Sequence, residues 1–213
     1  VGRGWTAGGG SRVYEGGSRA GGRARGYYDK ECEREIDNGN HLMLSANDAV
    51  LAFLGATGAR DTLEGPEEAA FAFVDLDSGD HWTLRINAGR IPWWILFPGR
   101  RVPGTRARDY LDPLRLMRAG PDATVADCLD TNSILFRRLW EPITIGVMNA
   151  APDEAAARPL GRVIRETFGQ GGRACRPLIA KRGLAHSLVD PAPALLRSNG
   201  IEPAFGCRLR EIV

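Results

Sequence analysis

The chain has 213 residues, of which 43% are hydrophobic and 25% charged, and 28 Lys and Arg against 26 Asp and Glu leave a formal charge of +2. Such a length holds one or two domains with cores of their own, and such a composition belongs to folded rather than disordered chains. The balanced charge argues against a dedicated nucleic-acid binder, no run approaches the ~20 apolar residues of a membrane span, and the opening residues do not read as a signal peptide. Cys32, Cys128, Cys175 and Cys207 are scattered without a CxxC pair, so they read as reduced cytosolic thiols and offer no metal site.

Ten of the 27 glycines fall in residues 1–26, together with five arginines and one acid, Glu15. Within that segment Val13-Tyr14-Glu15 reads as the end of a strand. Ser45 followed by Asp48 is a capping-box pattern that predicts a helix over Ala49-Val50-Leu51-Ala52-Phe53-Leu54, stopped at Gly55. Residues 71–76 and 81–86 predict a hairpin through Asp77-Ser78-Gly79-Asp80, with Trp82, Leu84 and Ile86 on one face. Arg90 and Arg100-Arg101 then flank Ile91-Pro92-Trp93-Trp94-Ile95-Leu96-Phe97.

Helical pieces follow at 106–119, at 124–130 behind a Thr124/Asp127 capping box, at 133–140, at 153–168 and at 191–198. A turn at Asn199-Gly200 leads to a terminal strand near 204–213. Mixed elements at this spacing predict an α/β or α+β protein. Pro113, Pro159, Gly161 and Pro193 fall inside the predicted helices, and Pro203 at the approach to the last strand. An internal helical proline costs ~3 kcal/mol and a glycine ~1 relative to alanine, so these positions predict kinked or broken helices, or a weakly stable chain.

Gly2-Arg3-Gly4-Trp5-Thr6-Ala7 fits G-x-G-x-x-G/A, a turn that lets backbone approach a pyrophosphate, and Glu15 stands where an acid would accept from a ribose. The spacing from Gly2 to Glu15 is short for a full strand–helix–strand unit. Gly21-Gly22-Arg23-Ala24 and Ile36-Asp37-Asn38-Gly39-Asn40-His41 follow. This series resembles the amino-terminal half of flavin-dependent amine oxidases and phytoene desaturase-type enzymes. Within that superfamily it is most similar to the squalene-associated FAD-dependent desaturases, or hydroxysqualene dehydroxylases. Arg138-Leu139-Trp140-Glu141-Pro142, Met148-Asn149, Pro152-Asp153-Glu154-Ala155, Arg173-Ala174-Cys175-Arg176-Pro177-Leu178 and Asp190-Pro191-Ala192 extend the resemblance along the whole chain. It covers about the first half of a family member.

The resemblance implies an α/β fold: a partial, discontinuous Rossmann-like FAD-binding domain with an inserted α+β substrate domain. Residues 1–44 would begin the FAD-binding domain without its first strand and most of its crossover helix. Residues 45–170 would be substrate domain, and 171–213 a truncated return to the FAD side. Gly2, Gly4 and Ala7 would line the FAD diphosphate, Glu15 would accept from the adenosine ribose, and Gly22 and Arg23 would sit beside the diphosphate. Gly39 would bring backbone near the flavin, and His41, the candidate catalytic residue, would face the cavity. The implied reaction is reductive dehydroxylation of hydroxysqualene to squalene in bacterial squalene and hopanoid biosynthesis.

The implied substrate is a C30 isoprenoid lipid, with no nucleic acid and no metal. Trp93, Trp94 and Phe97 are candidates to face that substrate or a membrane, in a cytoplasmic protein held peripherally at the inner membrane surface. Two further possibilities are a carotenoid desaturase or amine oxidase relative, and a non-catalytic lipid- or partner-binding remnant. Because the family continues past Val213, the resemblance also implies a truncated copy that binds FAD weakly or not at all and is inactive. Read without the resemblance, Glu15 and Arg23 fit solvated side chains, His41 a core histidine, Asp37 a turn former and residues 91–97 a buried wall.

Overall fold

The computed structural model describes residues 11–39 and 41–211. In chain order its elements are β1 (Tyr14–Glu15), β2 (Gly26–Asp29), β3 (Arg34–Asp37), β4 (Met43–Leu44), α1 (Asp48–Ala56), β5 (Leu63–Glu64), β6 (Ala69–Val74), β7 (His81–Ile86), α2 (Pro113–Met117), α3 (Val125–Cys128), α4 (Glu141–Met148), α5 (Ala157–Glu166), α6 (Gly172–Cys175), β8 (Pro177–Ala180), α7 (Pro191–Ser198) and β9 (Ala204–Phe205). They divide into two units. Unit 1 takes its described residues from 1–43, 47–64 and 178–213, and unit 2 from 44–46 and 65–177.

Unit 1 is held by short strand pairings, two of them between distant segments. β1 pairs in parallel with β9, Tyr14 opposite Ala204 and Glu15 opposite Phe205. β2 and β3 form an antiparallel hairpin from Gly26↔Asp37 to Asp29↔Arg34, and β5 lies antiparallel to β8 with Leu63 opposite Ala180. The 26–37 hairpin had no strand signal in the sequence. Its turn is built by the Asp29 carboxylate, which accepts the N–H groups of Glu31 and Cys32 at 3.0 and 2.8 Å, with Glu33 at φ 52° instead of a glycine.

Unit 2 carries the hydrophobic core, in which Leu84, Ile86, Trp94, Leu139, Trp140 and Leu160 are all buried. The β6–β7 hairpin pairs as the alternation predicted, with Phe73 opposite Trp82 and their rings stacked at 5.4 Å. Arg138 reaches back from a π-helical turn, Phe136–Trp140, to fasten it. The guanidinium donates to Asp80 at 2.6 Å and Asp75 at 3.1 Å, and lies 5.3 Å from the Trp82 ring centroid. The Asp75 carboxyl is held below its ordinary range, first by the Ser78 N–H and with help from Arg138.

At Pro113 the predicted 106–119 helix is broken as expected, into a 3-10 turn (Ala107–Leu111) and α2, whereas Pro159 and Pro193 leave α5 and α7 intact. Pro113 and Pro191 are the first residues of α2 and α7, Pro142 the second of α4, and Pro159 and Pro193 the third of α5 and α7. A first-turn N–H has no partner inside its own helix, so a residue without one costs little there. Pro142 also hid α4, which the sequence reading did not separate as a helix. Pro203 is buried immediately before β9, which is only two residues long instead of running to the carboxyl end. The Thr124/Asp127 capping box forms, with Asp127 N–H donating to Thr124 Oγ1 at 3.2 Å and Thr124 N–H to Asp127 Oδ2 at 2.9 Å. The Ser45/Asp48 box does not. Asn47 takes the cap position of α1, while Ser45 donates to the Arg173 carbonyl at 2.6 Å and accepts the Arg176 N–H at 3.0 Å.

Gly161 is likewise a packing device. It falls on the buried stripe Ala157, Leu160, Gly161, Ile164 of α5, and a Cβ there would stand 2.5 Å from the Leu116 carbonyl oxygen in α2. That oxygen is backbone within a helix and cannot swing aside, so only a residue without Cβ lets α2 and α5 approach. We expect Gly161→Ala to lose about 2 kcal/mol despite its better helix propensity, because overpacking costs ~1–3 kcal/mol and propensity returns at most ~1. A urea unfolding midpoint equal to or above that of the parent chain overturns this reading.

Burial also separates the thiols. Cys32 and Cys207 are exposed, whereas the fully buried Cys175 has its pKa pushed up to about 12 by desolvation. In the native protein at pH 8, Ellman's reagent should label Cys32 and Cys207 within minutes and Cys175 only on unfolding. The folded thiol titrates above the ordinary value of 9.0, so its contribution to stability is intact below about pH 9 and falls as the pH rises toward 12. Rapid native labelling of Cys175 is the contrary result.

Candidate functional site

Three short segments of unit 1 meet at one place. The first is the Gly-Gly-Arg turn. Gly21 and Gly22 have φ of 102° and 51°, in the left-handed region where a side chain is strained. A Cβ on Gly21 would stand 2.8 Å from the Val189 methyls, so the turn rests directly on the π-helical turn Ala185–Val189. A Cβ on Gly22 would meet nothing within 4 Å, which leaves that backbone open to an approaching group. Arg23 follows in the 3-10 turn Gly22–Ala24 with an exposed guanidinium that has no ion-pair or hydrogen-bond partner among the described residues.

The second segment is residues 37–39, and two side chains fix it. Asn38 donates from Nδ2 to the Arg23 carbonyl at 3.2 Å and from its N–H to the Arg25 carbonyl at 3.1 Å, tying this segment to the Gly-Gly-Arg turn. Both carboxylate oxygens of Asp37 accept the Leu184 N–H at 2.9 Å, which ties it to the third segment, the start of the π-helical turn. Asp37 is thus a long-range tether and not the local turn former its sequence suggested. Gly39 is exposed with nothing within 4 Å of its would-be Cβ.

Glu15 lies in β1 and not in a loop, with Oε1 accepting the Gly17 N–H at 2.7 Å. Oε2 has no partner among the described residues. His41 is exposed, with Nδ1 3.1 Å from the Leu42 carbonyl oxygen, so it is not a core histidine. Gly2, Gly4 and Ala7 lie outside the described residues. Trp93, Trp94 and Phe97 belong to unit 2 and divide among themselves: Trp94 is buried at 5% exposure against Tyr110, while Trp93 and Phe97 are exposed and pack edge to face at 5.7 Å.

The structure also gathers cations that the sequence reading missed. A groove of about 1060 Å³ in unit 1 is lined by Arg19, Arg25, Lys181 and Arg182, with Tyr27 and Tyr28 offering exposed rings. Glu15, Gly22, Arg23, Gly39 and His41 do not line it. The basic stretch up to Arg25 was visible in the sequence, but nothing local announced that Lys181-Arg182 would join it. Chemically, open glycine backbone beside an uncommitted guanidinium suits a phosphate-bearing group.

The family described as flavin containing amine oxidoreductase matches residues 7–213. The chain is 43% identical to a hydroxysqualene dehydroxylase of Zymomonas mobilis over 206 residues, which is 97% of this chain and 50% of that protein. It is 40% identical over 200 residues to the hydroxysqualene dehydroxylases of Sinorhizobium fredii and Rhodopseudomonas palustris, in each case 94% of this chain and 48% of the relative. The chain therefore spans about half the length of the curated relatives it matches. With the family matched over nearly its whole length, the chain belongs to the flavin containing amine oxidoreductases.

Proposed function

We propose that this chain carries the FAD-holding part of an oxidoreductase that converts hydroxysqualene to squalene. The observation that supports it most is the 43% identity over 97% of the chain to a hydroxysqualene dehydroxylase, in a chain whose open Gly22 and uncommitted Arg23 suit a diphosphate. Unit 1 would be the FAD side, with the parallel β1–β9 pair belonging to a Rossmann-like sheet, and residues 65–177 of unit 2 the inserted substrate domain.

In this reading Oε2 of Glu15 accepts a ribose hydroxyl, as its position in a parallel strand suits. Gly22 admits the diphosphate against backbone, and Arg23 donates to its oxygens through a planar fork. Asn38 and Asp37 touch no ligand; they hold residues 37–39 against the Gly-Gly-Arg turn and the π-helical turn so that Gly39 presents open backbone to the ring system. When bound in its reduced form, FAD supplies the hydride that replaces the allylic hydroxyl. His41 is the candidate to hold a proton for the departing hydroxyl, from an exposed ring whose Nδ1 is near the Leu42 carbonyl. The matched half of the relatives would supply only part of the flavin pocket, so the chain by itself binds FAD weakly and forms little squalene.

Titrating the purified chain with FAD and following flavin fluorescence tests this. We expect weak, saturable quenching that ADP reverses. Arg23→Ala should weaken it ~10–100-fold, since a hydrogen bond to a charged group is worth ~1.5–3 kcal/mol, and Glu15→Ala about tenfold. No quenching, or quenching that neither substitution changes, overturns the flavin reading. Squalene formation from hydroxysqualene by the isolated chain with dithionite-reduced FAD, at the rate of the Zymomonas mobilis relative, overturns the reading that this half alone is insufficient.

A further inference from the structure

The 91–97 turn of unit 2 presents apolar side chains outward although it is firmly anchored. Ile91 is 79% exposed, Leu96 64%, Phe97 53% and Trp93 44%. The turn does not expose them through looseness. The buried Asn87 clamps it, donating from Nδ2 to the Gly89 and Ile91 carbonyls at 2.9 and 3.0 Å and accepting the Trp94 N–H on Oδ1 at 3.2 Å. Trp94 is driven inward onto Tyr110, ring centroids 5.0 Å apart, and Arg101 donates to the Ile95 carbonyl at 2.7 Å. With Trp94 and Ile95 turned in, their neighbours must point out. A turn so fixed has already lost the conformational freedom that docking would otherwise remove.

Arginine predominates in the sequence around this tip, although Asp109 lies in the 3-10 turn Ala107–Leu111 that packs against it. Residues 81–108 contain six arginines and no acid. Of these, Arg85, Arg90, Arg100, Arg101 and Arg106 make no ion pair among the described residues, and Arg108 pairs only with its neighbour Asp109 at 3.8 Å. Arg100 lies over the Trp93 ring, 5.0 Å from its centroid. An apolar tip with an interfacial tryptophan, flanked by the exposed Arg90 and by Arg100 over the Trp93 ring, is complementary to one kind of surface, a bilayer of anionic phospholipid.

We infer that the 91–97 turn docks onto anionic membrane, with Ile91, Trp93, Leu96 and Phe97 entering the interface and Arg90 and Arg100 holding headgroup phosphates. Trp94, a candidate for that role in the sequence, is instead the anchor. The surface rests on the isoprenoid reading for its purpose, access to a substrate that partitions into lipid. Its chemistry is independent of flavin binding, so the FAD titration distinguishes failure of one from failure of the other.

Flotation of the full chain with vesicles tests it. We expect flotation with phosphatidylcholine vesicles containing 30% phosphatidylglycerol and none with phosphatidylcholine alone, and loss of binding in 0.5 M salt. Leu96→Asp with Phe97→Asp should weaken binding at least tenfold, and Arg90→Gln or Arg100→Gln about fivefold each, as expected for one cation near an anionic surface. These side chains are exposed or partly so, and unchanged circular dichroism and unfolding midpoint verify that the variants fold. No flotation with the anionic vesicles, or flotation that the double aspartate variant leaves intact, overturns the proposal. So does gel filtration showing a dimer that the same variant dissociates while vesicles bind neither form, because the turn is then a self-interface.

Discussion

The contact between the Asp37 carboxylate and the Leu184 N–H joins positions 147 residues apart, and the candidate site depends on it. Unit 1 has no extensive core of its own: among its described residues the buried hydrophobic side chains are Met43, Leu54, Ala59, Leu184 and Val189, and its sheets are two-residue and four-residue pairings. Where apolar burial is this thin, directed polar contacts must set position. Asp37 holds the start of the π-helical turn, Val189 of that turn supports Gly21, and Asn38 closes the circuit onto the Arg23 and Arg25 carbonyls. The Arg23 guanidinium and the space beside Gly22 and Gly39 are left open among the described residues because backbone and neighbouring side chains carry the tethering.

Unit 2 is built on the opposite principle. Its position is set by volume: a continuous apolar cluster from the β6–β7 hairpin to α6, tightened at Gly161 until helix backbone nearly touches helix backbone. The few polar devices there act at the edges. Arg138 pins the hairpin turn and Asn87 shapes the 91–97 turn, and each spends its bonding capacity on groups from more than one segment. A well-packed body can hold apolar side chains outward at a defined place, which a thin unit cannot do as firmly.

These two principles explain what could be read from the chain. The β6–β7 hairpin, α7 and the Thr124/Asp127 cap were legible because each is specified within about a dozen residues by alternation or a capping pair. Pro159 and Pro193 misled because a proline's cost depends on the helical position, and a first-turn proline looks like an interior one until the start of the helix is known. Ser45 misled for a related reason. Its hydroxyl had a local partner in prospect but found a distant one at Arg173 and Arg176. The 26–37 hairpin gave no glycine signal at its turn, since an aspartate side chain and a left-handed Glu33 do that work.

By itself the sequence determined the mixed class of the fold and the family, through its Gly-Gly-Arg and Asp-Asn-Gly segments. Both are properties of short contiguous stretches, where chemistry and spacing are read directly. Tertiary structure alone decided that Asp37 and Asn38 are tethers while Gly22 and Arg23 stay open, and that Lys181 and Arg182 join Arg19 and Arg25. It also decided that Trp94 faces inward while Trp93, Leu96 and Phe97 face out. The reason is common to all three. Whether a polar group is spent or free, and whether an apolar one is covered, depends on partners far along the chain.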